Sequence, residues 1–154
     1  MKKKSIQIQE NVLSRRDKFI LYAVAAVSFF SMAGSLFFSE ILKYPPCVLC
    51  WYQRILMYPL FFIFSVGLLR RDKNVFFYAA PLVIIGFIIS LYHNLLYYGI
   101  LPESVAPCTL GISCTTKQIE WFGFVTIPFL SMASFVFIGI CMFFFWRYNK
   151  GKLL

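Results

Sequence analysis

Apolar residues run along this chain in four long blocks, each bounded by a short polar or charged stretch. From Phe19 to Phe38 there are 20 consecutive residues without a charge. That is enough to cross a hydrocarbon layer of ~30 Å at about 1.5 Å per helical residue. A second block covers about residues 50–69, interrupted by Arg54 and Pro59, and Arg70-Arg71-Asp72-Lys73-Asn74 closes it as a charged turn. The third covers 75–101, long enough to tilt. A polar loop from Pro102 to Trp121 leads to the fourth, 122–146. Pro45-Pro46 favours extended backbone and then a helix start, which fits the second block. The pattern predicts an all-α integral membrane protein, a four-transmembrane-helix bundle forming a single domain over residues 1–154. Loops 39–49 and 102–121 are separated by two crossings, so they share a side whichever way the chain inserts.

Composition agrees with lipid as the solvent. Of 154 residues, 60% are hydrophobic and 14% charged, whereas a soluble domain is nearer half apolar and a quarter charged. The net charge of +9 raises the question of a nucleic-acid partner, but its placement answers differently. The N-terminal tail carries six Lys/Arg, the central turn three and the C-terminal tail three. The opposite side has only Lys43, Arg54 and Lys117. Excess Lys/Arg on one side predicts that both termini are cytoplasmic and both loops extracytoplasmic, with no nucleic acid expected. Ser14-Arg15-Arg16 is similar to the start of a twin-arginine export signal. The apolar run after it exceeds the usual signal core and shows no small-residue cleavage site, which predicts a retained first helix.

Four of the five cysteines fall in or beside the outward loops, where oxidising conditions allow disulfides. Cys47-Val48-Leu49-Cys50 has a spacing that serves redox pairs, static disulfides and half of a zinc tetrad with Cys108 and Cys114. If helical, Cys47, Cys50 and Arg54 stand at i, i+3 and i+7 on one face. A thiol pair beside a fixed positive charge at an apolar boundary suits a reactive thiolate facing a membrane-soluble reactant. Cys108 and Cys114 enclose five residues; a bridge there would close a small loop and add only modest stability, which suits exchange better than support. Cys141, inside the fourth block, reads as packing.

Arg54 lies about 6 Å inside the second span. It either snorkels to the interface or stabilises a thiolate or a reduced quinone. His93, eight residues before Leu101, is either a hydrogen-bonded core residue with Asn94 beside it or a catalytic or quinone-contacting group. Ser28, Ser31, Gly34, Ser35, Ser131 and Ser134 read as allowing close helix packing. Trp51 follows Cys50, so the c-type haem signature is absent. One histidine excludes bis-histidine haem ligation within a subunit. No G-x-G-x-x-G fingerprint occurs, so neither flavin nor NAD is expected.

Cys47-Val48-Leu49-Cys50-Trp51-Tyr52-Gln53-Arg54 resembles the signature of the disulfide bond formation protein B (DsbB) family. Four spans, a histidine late in the third and a second cysteine pair before the fourth extend the resemblance over nearly the whole chain. The compact second pair is similar to that of short-loop BdbC-like members from Gram-positive bacteria. The resemblance implies a thiol–quinone oxidoreductase in the bacterial cell membrane, with redox-active disulfides Cys47–Cys50 and Cys108–Cys114. It also implies that Arg54 and His93 contact a menaquinone or ubiquinone, with no resident metal, haem or flavin. The implied partner is an extracytoplasmic thioredoxin-fold thiol oxidase, BdbD- or DsbA-like, attacking at Cys108. Cys114 would then attack Cys47 and release Cys50 towards the quinone. Such a partner sits near −120 mV, so delivering electrons to glutathione at about −220 mV would run uphill by ~100 mV, about 4.6 kcal/mol. A lipid-soluble, more oxidising acceptor fits better. A vitamin K epoxide reductase relative, whose quinone-facing pair lies on the fourth helix of its bundle, and a zinc-stabilised membrane assembly factor are the alternatives.

Overall fold

A computed structural model describes residues 13–102, 113–114 and 126–149. Its four long helices are α1 (Arg15–Leu36), α2 (Val48–Arg70), α3 (Val75–Tyr97) and α4 (Ile127–Asn149). Each is long and apolar enough to cross a membrane. No strand occurs among the described residues. Each helix packs against its neighbour in sequence, and α1 also packs against α4, which closes the ring. Large side chains such as Phe19, Phe30, Phe62 and Leu69 remain well exposed on the outer faces. In water such a surface would aggregate; in lipid it is solvated.

Local chemistry sets the helix ends. α1 starts four residues before the apolar block, because the Ser14 N–H donates to the Asp17 carboxylate at 3.0 Å and satisfies an orphan donor of the first turn. The other Asp17 oxygen accepts from Asn149 Nδ2 at 3.1 Å, tying the start of α1 to the end of α4. At its far end α1 widens into a π-helical turn, Phe37–Ile41. α2 reverses into α3 through Arg71 in the left-handed region, φ 54°. α3 stops at Tyr97 instead of running to Leu101. Gly99 adopts φ +72° and its N–H donates to the Leu96 carbonyl at 3.1 Å, a glycine-assisted helix stop. His93 therefore lies one turn from its helix end, about 6 Å along the axis, half the depth the sequence pattern suggests.

The bundle has two chemically distinct halves. Towards the charged central turn, Leu60, Phe64, Phe76, Phe135, Ile138 and Phe145 form a dry core, with Phe76 and Phe145 stacked at 4.0 Å between ring centroids. Towards the cysteine end, a smaller cluster gathers Cys47, Leu49, Leu96 and Cys114. Gly86 lets α3 approach α4, since a Cβ there would collide with the Phe135 ring. Gly86→Val should therefore lower bundle stability by about 1–3 kcal/mol through overpacking. Thermal unfolding in detergent micelles checks this; an unchanged midpoint would show that the ring can move aside.

Candidate active site

The site is built where α2 begins. Cys47 is the N-cap of α2 in an extended conformation, and its sulfur accepts from the Cys50 N–H at 3.3 Å. The cap folds the chain so that the Cys47 and Cys50 sulfurs lie 2.7 Å apart. Both are free thiols, close enough to bond without backbone rearrangement. Because Cys47 precedes the helix, it does not share a face with Cys50 and Arg54. Cys47 turns towards α3, while Cys50 and Arg54, one turn apart, look into a cavity on another side.

On the α3 side stands His93, buried to 1% exposure. Its Nε2 lies 3.8 Å from the Cys47 sulfur and 3.3 Å from the Cys114 carbonyl oxygen. Nδ1 lies 3.0 Å from Gln53 Nε2. Cys114 is disulfide-bonded; Cys108, the mate expected from the family resemblance, lies outside the described residues. The Cys114 sulfur, the Cys47 sulfur and a His93 ring nitrogen fall within 4.8 Å of one another. Such a trio has metal-ligand composition, but a disulfide sulfur is no thiolate ligand, so in this state the set is arranged for exchange. Asn94, the neighbour expected to support His93, instead donates to the Pro128 carbonyl at 2.9 Å and ties α3 to α4.

On the other side a cavity of about 180 Å³ opens between α1, α2 and α4. Phe30, Ser31, Gly34 and Ser35 line it from α1; Cys50, Gln53, Arg54, Met57 and Tyr58 from α2; Ile127, Leu130, Ser131 and Ser134 from α4. The small residues expected to bring helices together thus mostly hollow out space. A Cβ on Gly34 would meet nothing within 4 Å, while Ser31 bridges to Ser134 at 3.0 Å and the Ser35 hydroxyl accepts from Tyr58 at 3.5 Å. Arg54 does not stretch freely to the surface. It donates to the Ser35 carbonyl at 2.9 Å and the Ser39 hydroxyl at 3.3 Å, and its guanidinium lies 5.5 Å from the Trp51 ring centroid. His93 is not among the cavity-lining residues.

Gln53 has no role in the sequence reading, and Ser35 is read there only as a packing residue. Gln53 stood inside the quoted motif without a role, although an amide inside an apolar span must find a partner. Ser35 contributes a backbone carbonyl, which no side-chain pattern announces. Cys141 is a free thiol packed against the dry core, 14 residues into α4 and so about 21 Å from its start.

Four membrane-crossing helices, a thiol pair capping one of them and a disulfide sulfur within reach define a membrane thiol–disulfide oxidoreductase. The chain belongs to the DsbB family, whose model, described as disulfide bond formation protein DsbB, matches residues 17–145. A probable disulfide formation protein C 1 of Bacillus anthracis is 42% identical over 130 residues, covering 84% of this chain and 93% of that protein. Disulfide bond formation protein C of Bacillus subtilis (strain 168) is 47% identical over 122 residues, 79% and 88% of the two chains. A probable disulfide formation protein C of Halalkalibacterium halodurans is 50% identical over 111 residues, 72% and 81%. No solved structure matches. The chain is a multi-pass membrane enzyme that generates disulfides, in a family linked in general to quinone and to a thiol oxidase partner.

Cys47, just ahead of the span, is electrostatically prepared. The hydrogen bond with the Cys50 thiol, aided by His93, holds its thiol down at about 4, against burial that pushes it up. A lowered value keeps the thiolate present as pH falls, until the pH itself passes through that value. In the reduced protein, alkylation of Cys47 should therefore stay nearly flat from about pH 8 to about pH 6, where an ordinary thiol loses roughly two orders of magnitude of thiolate. Mass spectrometry of the Cys47 peptide reads this, and a rate falling in parallel with a free thiol would contradict it.

Proposed function

We propose that this enzyme reoxidises an extracytoplasmic thioredoxin-fold thiol oxidase and delivers the electrons to menaquinone or ubiquinone in the bacterial cell membrane. The observation that carries the proposal is the two-sidedness of the Cys47–Cys50 pair. One sulfur faces the second cysteine site and the other faces the cavity. In this reading both termini are cytoplasmic, consistent with the Lys/Arg distribution, and the cysteine end faces outward.

The reduced partner opens the Cys108–Cys114 disulfide by attack at Cys108 and is itself oxidised. The Cys114 thiolate attacks the Cys47 sulfur of the Cys47–Cys50 disulfide, and the electron pair leaves on Cys50. Cys108 then attacks Cys114, restoring their disulfide and releasing Cys47 as a thiolate. The net result moves two electrons from the loop pair to Cys47 and Cys50. The cavity suits a flat, largely apolar acceptor. Its walls are aromatic and aliphatic, and its polar groups concentrate at Arg54, Gln53 and the serines. A quinone supplies a two-electron acceptor there. The Arg54 guanidinium stabilises negative charge beside Cys50; the Ser35 carbonyl and Ser39 hydroxyl hold it in place. His93 acts at the junction of the two cysteine pairs.

The decisive assay is anaerobic reduction of a short-chain quinone by the purified protein with a reduced thioredoxin-fold partner, repeated with each cysteine replaced. Tetrahedral zinc on four reduced thiolates would sink the redox reading. Arg54→Ala should slow quinone reduction about 100-fold, in line with loss of one preorganised charge contact; wild-type quinone kinetics would refute its role. Cys114→Ser should accumulate a mixed disulfide between Cys108 and the partner on a non-reducing gel, and the absence of that band would count against the relay.

A further inference from the structure

His93 has more defined surroundings than a packing histidine needs. The group 3.3 Å from its Nε2 is the Cys114 carbonyl oxygen, and a carbonyl only accepts. Nε2 therefore carries a hydrogen. The same N–H is shared with the Cys47 sulfur at 3.8 Å. Nδ1 is then left as the acceptor, and the Gln53 amide nitrogen lies 3.0 Å from it, in position to donate. Gln53 is itself buried to 6% exposure, one turn past the cap residue's hydrogen-bond partner Cys50. Without that amide, the ring loses the contact that selects its tautomer and opposes a flip about the Cβ–Cγ axis.

We propose that Gln53 is a positioning residue for thiol exchange, fixing the His93 ring so that one Nε2–H serves both the Cys114 backbone and the Cys47 sulfur. The inference rests on the relay above and assigns a step to each contact. The contact with the Cys114 carbonyl keeps the second cysteine site against α2 during exchange. When Cys108 attacks Cys114 in the Cys47–Cys114 mixed disulfide, the bond between Cys114 and Cys47 breaks and its electron pair leaves on Cys47. The Nε2–H faces that thiolate at once and stays on the ring, so no further oxidant, reductant or acid is required. In a site this dry, a thiolate without a donor is costly, which makes ring orientation a control on the rate.

Among the described residues, the ionisable groups that act on Cys47 are the Cys50 thiol of its own helix and the His93 ring of α3. Cys114, in a disulfide, does not titrate, and Arg54 is turned towards Ser35 and Ser39. The test is therefore a thiolate titration of reduced full-length protein in detergent, without quinone or partner, by rapid alkylation of Cys47. It uses a Cys108→Ser/Cys114→Ser background, which keeps the backbone carbonyl at position 114 and removes the thiols that reduction would free beside Cys47. Gln53→Leu should raise the half-alkylation pH by about one unit, about a tenfold loss of thiolate below the midpoint. Gln53→Glu should stay with the wild type, because a carboxyl buried there in its protonated form donates to Nδ1 as the amide does and leaves the Nε2–H in place. Gln53→Met makes the same comparison if the leucine variant does not fold. Wild-type titration of the apolar variant, or an equal rise in Gln53→Glu, overturns the proposal. The assay contains neither electron donor protein nor acceptor, so it can fail while the relay stands. Failure of quinone reduction by the wild type would instead sink the relay.

Discussion

A histidine sealed in a membrane bundle must find protein partners for both ring nitrogens, and much of the cysteine end is arranged around that requirement. The partners of His93 come from three places: an amide within α2, a sulfur at the cap of α2, and a backbone carbonyl at Cys114. For these to meet, α3 must stop one turn above His93, which Gly99 accomplishes. α2 must begin at a fixed point, which Pro45-Pro46 and the Cys47 cap provide. The dry aromatic core in the other half holds the helices in the required register. The glycine contact of Gly86 with Phe135 sets how closely α3 and α4 approach.

The same start of α2 separates two environments only three residues apart. Cys47 faces α3 and Cys114; Cys50 faces a cavity walled by α1, α2 and α4. A helix N-terminus is favourable to negative charge, so both sulfurs benefit from it while seeing different reactants. Small residues on α1 and α4 matter here by what they leave empty. Serines and a glycine opposite Arg54 give room near a charge that would otherwise be packed over.

The architecture was largely legible in the sequence because lipid tolerates only long apolar helices or closed barrels, and four such blocks are plain. The second and fourth are bounded by charge, and the common side of the loops follows from counting crossings. The ends were less legible: residues 15–18 looked like a polar tail because an Asp17 capping contact does not alter hydropathy, and α3 was drawn too long because Ile100 and Leu101 continue the apolar run past its glycine stop. At the site, the Cys47, Cys50 and Arg54 cluster was visible from type and spacing. Its division into two faces was not, since helical spacing assumes that Cys47 is already helical. Gln53 was hidden for another reason: its significance depends on a residue forty positions away, and no local pattern encodes that pairing.

The sulfur of Cys47 also serves as the acceptor for the first turn of its own helix, through the Cys50 N–H. A thiolate is a far better acceptor than a disulfide sulfur, because charge roughly doubles the strength of such a bond. The secondary structure of α2 is thus tied to electron count: its opening turn is best anchored when the pair is loaded and loosest when it is empty. The amide proton of Cys50 becomes a native gauge of turnover, readable by nuclear magnetic resonance without any label on the sulfurs.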